Sequence, residues 1–452
     1  MKDTLQSQDT KMENASSESG DVSQPQNQKN KKRCLAWLLV GVIALSSFGL
    51  GIAADRLFLD GEMRALLRLK NRIQTSYYTE ITDEQFYNVI FSAINEDLLD
   101  GYSQYMTADE YAQSKTDAKG SHSGLGLVFS TLTAQGQPQM RVVRVCGNSP
   151  AENKGIQAGD YLIGYGKTEQ TIVKSNNFTE FSLFVSSYDE GESLYIELQN
   201  AGVVNIAKAA YVENYVFYRN NQKGYGFAGE KADVLVEKGT GISTLPNDTA
   251  YIRLTQFNGN AAEEFAKAMD CFKTEQKKNL ILDLRGNGGG YMDIMREIAG
   301  YFCKNSDERR PIVAIADYGD RKEIFRAKDN VYGDYFTSDS RICVLADNAS
   351  ASASECLLGC MIDYGAISYG DICLSERDGI AKTYGKGIMQ TTYPLSIIEG
   401  DAVKLTTAKI CWPKSEKCIH GVGILPKDGT KTVQENYQGD EELIAAITQL
   451  FS

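Results

Sequence analysis

At 452 residues the chain exceeds one ordinary domain, and its length suggests roughly three. A hydrophobic content of 42% with only 8 Pro fits globular folding, while the net charge of −12 argues against a nucleic-acid partner, because phosphates need basic clusters. Only two histidines are present, His122 and His420, and neither sits in a metal-ligand pattern, so each reads as an ordinary surface or loop residue and a histidine triad or histidine-ligated metal is a poor fit.

Residues 1–33 open with a polar stretch rich in Ser, Gln, Asn and Asp, which cannot bury enough surface to offset ordering and reads as a disordered cytoplasmic tail. It closes on the basic cluster Lys29, Lys31, Lys32 and Arg33. Cys34 to Ala54 carries no charge and at about 1.5 Å per residue would span roughly 30 Å of hydrocarbon. It is the expected transmembrane anchor. The basic flank puts the N-terminus in the cytoplasm and the body outside. A cleaved signal peptide competes, since Gly51 and Ala53 are small, but the apolar core is long for one.

Residues 55–118 read as an N-terminal helical module. Leu57, Leu59, Met63, Leu66, Leu67 and Leu69 form one apolar run, and Phe86, Val89, Ile90, Ala93, Ile94 and Leu98 a second. Such a module suits packing on the core or homo-oligomer formation. Residues 119–210 change character, with strand-like runs over 123–130 and 140–146. From 250 onward, strand and helix signals alternate. Leu280 to Leu284 is a buried strand running into DLRGNGGG (Asp283 to Gly290), whose glycines expose backbone N–H groups. It lacks the Gly-Lys-Ser/Thr ending of a phosphate loop.

The stretch 341–363, RICVLADNASASASECLLGCMID, couples an apolar strand to an apolar helix through alternating Ala and Ser. A sharp strand-to-helix turn lifts a small polar side chain beside unpaired N–H donors, which suits acyl transfer. Ser352 is the candidate nucleophile. With Glu355 three residues on, it also fits a capping box that merely closes a helix. With neither histidine suited to a triad, the base is expected to be another residue. Lys386, in the segment TYGKGIMQTTYPL, serves only if burial lowers its pKa from about 10.4 toward 7–8. Gln390, on the same face by alternation, could aim its nitrogen. Cys356 is a weaker candidate nucleophile, because it and Cys360 suit small core positions.

GLGL (Gly124 to Leu127), followed by SPA (Ser149 to Ala151) and GIQAGD (Gly155 to Asp160), resembles a PDZ domain. That resemblance implies that the loop of Leu125, Gly126 and Leu127 offers N–H groups to a peptide's terminal carboxylate, with a helix over 178–187 across the groove. Taken with LDGYSQYM (Leu99 to Met106), YIRLTQF (Tyr251 to Phe257), DLRGNGGG, SASASE, GKGIMQ and the closing run Leu405 to Pro426, residues 55–452 resemble the carboxyl-terminal processing, or tail-specific, serine peptidases.

The resemblance implies a multidomain α/β protein. A ClpP/crotonase-like peptidase core (211–452) would carry an inserted PDZ domain (119–210), with the helical module (55–118) behind the anchor (34–54). It further implies Ser352 as nucleophile, Lys386 as base, Gln390 as its orienting amide, and an oxyanion hole from the N–H of Ala353 and of Gly288 or Gly289. Asp363 would be structural. The activity implied is endoproteolysis of proteins with flexible C-terminal tails, without metal or cofactor. A non-cutting, anchored peptide-binding scaffold is the alternative, supported by an apparent insertion, Ile372 to Lys382, where the family has few residues.

Overall fold

The computed structural model describes residues 60–134, 137–157, 159–219, 224–226, 245–376, 379–396, 400–434, 445–446 and 448. The expected tail and the anchor Cys34–Ala54 lie outside these residues. Among the described residues no helix is long and apolar enough to cross a membrane. The chain divides into two compact units, one ending at Ile90 and the other beginning at Phe91.

In the first unit, helix α1 (Gly61–Ser76) is capped by Asp60, whose carboxylate accepts the Met63 N–H at 2.7 Å. Lys70 on α1 pairs with Asp83 at 3.0 Å, and Gln74 donates to the same carboxylate at 2.6 Å. Asp83 begins helix α2 (Asp83–Ala93), so these contacts fix how the two helices meet.

In the second unit the stretch after Phe91, expected to continue the helical module, contributes strand β1 (Gln104–Met106) and helix α3 (Ala108–Ala118). A β-rich region follows. It contains β2 (Ser121–Gly124), β3 (Leu127–Ala134), β4 (Gln137–Val145), β5 (Tyr161–Gly166), helix α4 (Phe178–Ser186), β6 (Ser193–Leu198), β7 (Gly202–Ala207) and β8 (Ala209–Val212). Strands β3 to β7 lie in chain order in one sheet, with the short strand Val173–Lys174 added on β5, while β2 pairs with β8. The region has its own apolar core, including Met140, Val142, Leu162, Phe181, Leu194, Ile196 and Ile206. Where it joins the rest, buried Glu213 pairs with Arg144 and, at 3.2 Å, with His122. His122 is therefore a half-buried clasp rather than an ordinary loop residue.

The remaining strands are β9 (Val216–Arg219), β10 (Gly224–Gly226), β11 (Thr249–Leu254), β12 (Asn279–Asp283), β13 (Ile312–Asp317), β14 (Lys322–Arg326), β15 (Ile342–Ala346), β16 (Ile372–Glu376), β17 (Ile388–Pro394), β18 (Ala402–Cys411) and β19 (Lys431–Gln434). They are interleaved with helices α5 (Ala261–Thr274), α6 (Met292–Ala299) and α7 (Ala353–Asp363). The larger sheet runs β10-β9-β11-β12-β15-β16-β19, parallel from β11 through β19. A second, antiparallel sheet runs β1-β18-β13-β14, with β17 also on β18.

Parallel strands covered on both faces need continuous apolar runs, and LIL in β12 and ICVLA in β15 supply them. Leu280, Leu282, Val344 and Ala346 enter the main core with the buried side of α7 and with Val313 and Ala314 of β13. Ile281, Cys343 and Leu345 enter a separate cluster that also contains Tyr251 and Cys373. The supposed insertion is shorter than expected. Ile372–Glu376 is β16, a core strand paired in parallel with β15. Its run of Ile, Cys and Leu is buried, so only the residues after Glu376 leave the sheet.

Candidate active site

Strand β15 ends at Ala346, and the chain turns through 347–352 into α7. Asp347 holds the turn, accepting the Ala349 N–H at 3.0 Å and the Gly286 N–H at 3.0 Å, while Ser350 donates to the Leu284 carbonyl at 2.8 Å. These bonds tie the turn to the glycine loop after β12. Asn287 completes the join. Its carbonyl accepts the Ala351 N–H at 2.9 Å and the Ser354 hydroxyl at 2.9 Å, and its side chain donates to the Leu254 carbonyl at 2.8 Å.

Ser352 stands at the N-terminus of α7 with φ 57° and ψ −114°, a backbone region that non-glycine residues rarely adopt. Such strain costs on the order of 1–3 kcal/mol and persists only where the surroundings over-determine it. Here they do. The capping alternative holds by half: Glu355 accepts the Ser352 N–H at 3.0 Å, but the serine hydroxyl makes no capping hydrogen bond. Among the described residues that hydroxyl has no partner, and it is only partly buried.

Glu355 does more than cap. Buried to 1% exposure, it also accepts the Thr383 hydroxyl at 2.6 Å, the Gly385 N–H at 2.7 Å and the Lys386 N–H at 2.8 Å. One carboxylate thus joins the backbone of the candidate nucleophile to the backbone of the candidate base. Burial pushes its pKa up, and the four donors partly offset that rise. The S-x-x-E spacing in the sequence signals the contact to Ser352. Nothing local signals the other three, which come from residues 383–386.

Lys386 is half-buried. Desolvation by burial lowers its pKa, Lys404 lowers it further, and the Asp100 carboxylate opposes both. Its Nζ lies over the Tyr102 ring, 5.0 Å from the centroid. It is not hydrogen-bonded to Ser352 among the described residues. Tyr102, a residue of the LDGYSQYM stretch, had no role assigned from sequence. Its phenol donates to the Tyr384 hydroxyl at 3.4 Å; that bond first, and then burial, pushes its pKa up to about 12, so the ring stays neutral.

Two expected site residues have other partners in this geometry. Gln390 makes no hydrogen bond to Lys386 among the described residues; its amide donates to Thr406 at 3.4 Å. Lys386 precedes β17, and the β17–β18 ladder shifts register between Met389 and Gln390, so simple alternation does not carry across the segment. Gly289, one of two expected oxyanion donors, has its N–H engaged by the Asn287 side chain at 2.9 Å. The Gly288 and Ala353 N–H groups have no acceptor among the described residues. Gly289 serves instead as a contact surface. A Cβ there would meet the Ala351 carbonyl and Ser352 Cβ at 2.8 Å.

Asp363 accepts the Lys414 N–H at 2.8 Å and the Ser415 N–H at 2.9 Å, as suits a structural residue. The cysteine alternative fits poorly. Cys356 is buried, and burial pushes its thiol up to about 12, which keeps it from the reactive thiolate form. In the β-rich region, Leu125 and Gly126 are buried and their N–H groups have no acceptor among the described residues, while Leu127 opens β3. Chemically, the Ser352 turn supplies an unbonded hydroxyl, two free N–H donors close by, and an amine whose charge is disfavoured.

Residues 248–428 match the sequence model of Peptidase family S41. A probable CtpA-like serine protease of Staphylococcus saprophyticus is 24% identical over 391 residues, covering 85% of this chain and 68% of the relative. The carboxy-terminal processing protease CtpA of Bacillus subtilis is 25% identical over 369 residues, covering 81% and 69%. Among solved structures, a photosystem II D1 C-terminal processing protease aligns over 88% of this chain and 95% of its own with TM-score 0.49 and 21% identity. The region that holds Ser352 and Lys386 belongs to peptidase family S41, and the chain is a serine-type peptidase of the carboxy-terminal processing kind.

Proposed function

We propose that this peptidase works through a Ser352–Lys386 dyad on a ClpP/crotonase-like core. Its substrates are proteins with flexible C-terminal tails, captured by residues 119–210 acting as a PDZ domain. The observation that carries the reading is the shared carboxylate of Glu355, which sets the Ser352 and Lys386 backbones beside two unpaired N–H donors. Lys386, once neutral and turned toward Ser352, takes the hydroxyl proton as Oγ attacks the scissile carbonyl. The resulting oxyanion is held by the N–H groups of Gly288 and Ala353. The protonated amine then gives its proton to the leaving nitrogen. Water, deprotonated by the same amine, attacks the acyl carbon, and the ammonium returns the proton to Ser352 Oγ as the acyl group leaves. No step uses a metal or cofactor. Gln390 would orient the amine only after leaving Thr406.

Capture of the tail is supported by the edge position of β3, whose outer side is open to an added strand among the described residues, with α4 as the expected opposite wall. The unpaired N–H groups of Leu125 and Gly126 suit a terminal carboxylate. We further propose that Cys34–Ala54 anchors the protein in the membrane with the peptidase outside the cytoplasm, on the strength of its apolar length and basic flank.

The test is cleavage of an unfolded protein with an apolar C-terminus by wild type, Ser352→Ala and Lys386→Met. Both variants should be inactive, and a fluorophosphonate should label the wild type at Ser352 alone. The wild-type rate should rise with pH through an apparent pKa below that of free lysine. Cleavage by Ser352→Ala at the wild-type rate would refute the nucleophile, and a flat profile from about pH 5 to 9 would refute the lysine base.

A further inference from the structure

Lys386 rests on an aromatic face rather than on the serine. Its Nζ is 5.0 Å from the Tyr102 ring centroid. The ring itself is well held. The Tyr102 N–H donates to Asp100 at 3.1 Å, its hydroxyl meets that of Tyr384 at 3.4 Å, and its ring and that of His420 meet in a T-shaped contact with centroids 6.4 Å apart. The adjacent Ser103 hydroxyl accepts the Thr406 N–H at 2.8 Å, and β1 pairs with β18 over Gln104–Met106, so the whole stretch is tied to the sheet beside the lysine.

An aromatic face attracts an ammonium through its quadrupole and gives a neutral amine no comparable gain. A fixed ring therefore discriminates between the two protonation states of Lys386. We propose that Tyr102 is a positioning residue of the peptidase, the resting seat of protonated Lys386, which the amine leaves for Ser352 when it loses its proton. This rests on the reading of Lys386 as general base. The seat keeps the base charged and away from the nucleophile until substrate binding or higher pH releases it.

Other groups act on the same amine and must be separated from the ring. Asp100 favours the ammonium, while Lys404 and burial oppose it. Glu355 is engaged with the Lys386 backbone N–H, and Tyr384 and His420 approach Tyr102. Asp100, Lys404 and Glu355 stay when residue 102 is changed; Tyr102→Phe removes the Tyr384 hydrogen bond and keeps the face, whereas Tyr102→Leu removes that bond, the His420 ring contact and the face together.

The experiment is the pH dependence of kcat/KM for the full chain on an unfolded polypeptide, comparing wild type with Tyr102→Phe, Tyr102→Leu and Lys386→Met. Tyr102→Phe keeps the face, so its acid limb should stay with that of the wild type. Tyr102→Leu removes the face, so the limb should move to lower pH by roughly 0.5–1.5 units. Should the leucine variant not fold, phenylalanines carrying one, two and three ring fluorines at position 102 keep the shape while weakening the face, and the limb should fall stepwise. A loss of rate at every pH with an unmoved limb would overturn the proposal and leave Tyr102 a structural residue. Retention of wild-type activity by Lys386→Met would instead overturn the lysine-base reading beneath it.

Discussion

Replacing Glu355 by Gln tests whether one carboxylate assembles the site. Its two oxygens divide four donors: Oε1 takes the Thr383 hydroxyl and the Gly385 N–H, and Oε2 takes the N–H groups of Ser352 and Lys386. Glutamine keeps the shape but turns one oxygen into a donor, so two of the four bonds become donor against donor. Hydrogen bonds to a charged group contribute about 1.5–3 kcal/mol each, and relief from burying the charge offsets part of the loss. The net cost should be about 2–4 kcal/mol, which lowers Tm by roughly 3–8 °C for a folding unit of this size. Activity should suffer more. With the amide nitrogen in the Oε2 place, Ser352 and Lys386 lose their common anchor; in the Oε1 place, Thr383 and Gly385 lose theirs just before Lys386. A misplacement near 1 Å costs on the order of 10²-fold in rate. The assay is kcat and KM beside thermal unfolding, with Thr383→Val as a graded companion that removes one donor and leaves the Ile424 N–H without its acceptor. A Glu355→Gln enzyme with wild-type kcat and Tm would refute the claim that this carboxylate sets the geometry.

The glycine loop offers a contrast between neighbours. Gly289→Ala, at φ 101° with backbone and Ser352 Cβ within 3 Å of the new methyl, should lose activity by about 10²-fold, whereas Gly288→Ala meets nothing within 4 Å and should be tolerated; equal effects would count against the packing account. Thiol alkylation of the folded enzyme should leave the rate unchanged, because Cys356 is buried and protonated, and inactivation traced to Cys356 would revive the cysteine nucleophile. His122 tests the clasp at Glu213. Its hydrogen bond to Glu213 raises its pKa above 6.5 against the opposing effect of burial, so its stabilisation is complete below about pH 6.5 and is lost as pH rises through the folded-state value. The Tm difference between wild type and His122→Gln should therefore be largest in mild acid and shrink toward alkaline pH, and a difference independent of pH would exclude the charged histidine as its source.

What could be read from the sequence was whatever depends on near neighbours. The apolar runs of β12 and β15 carry their own burial, and the small residues before α7 signal a tight turn at Ser352 because only small side chains fit where strand, glycine loop and helix converge. Long-range register was not legible. Nothing within a few residues of Glu355 reveals that Gly385 and Lys386 will return their N–H groups to it. The engagement of the Gly289 N–H by Asn287 depends on the conformation of a loop that its composition leaves free. The supposed insertion was overextended for a related reason: a short buried strand such as Ile372–Glu376 is recognised by its partner β15 more than by its own pattern.

The long-range contacts share a physical property that bears on the mechanism. The contacts missed from sequence are those that fix backbone, while the side chains of Ser352 and Lys386 have no bond to each other among the described residues. Glu355 holds both main chains, so under the proposed dyad the amine would pass from Tyr102 to Ser352 by side-chain rotation with the carboxylate's four hydrogen bonds kept. Rotation of a lysine side chain is fast compared with peptide-bond cleavage at ordinary turnover rates, so the resting arrangement need not limit the rate once the proton is gone. On the proposed dyad, the site would be rigid in its frame and still switch its base, with the charge on the Lys386 nitrogen governing the switch.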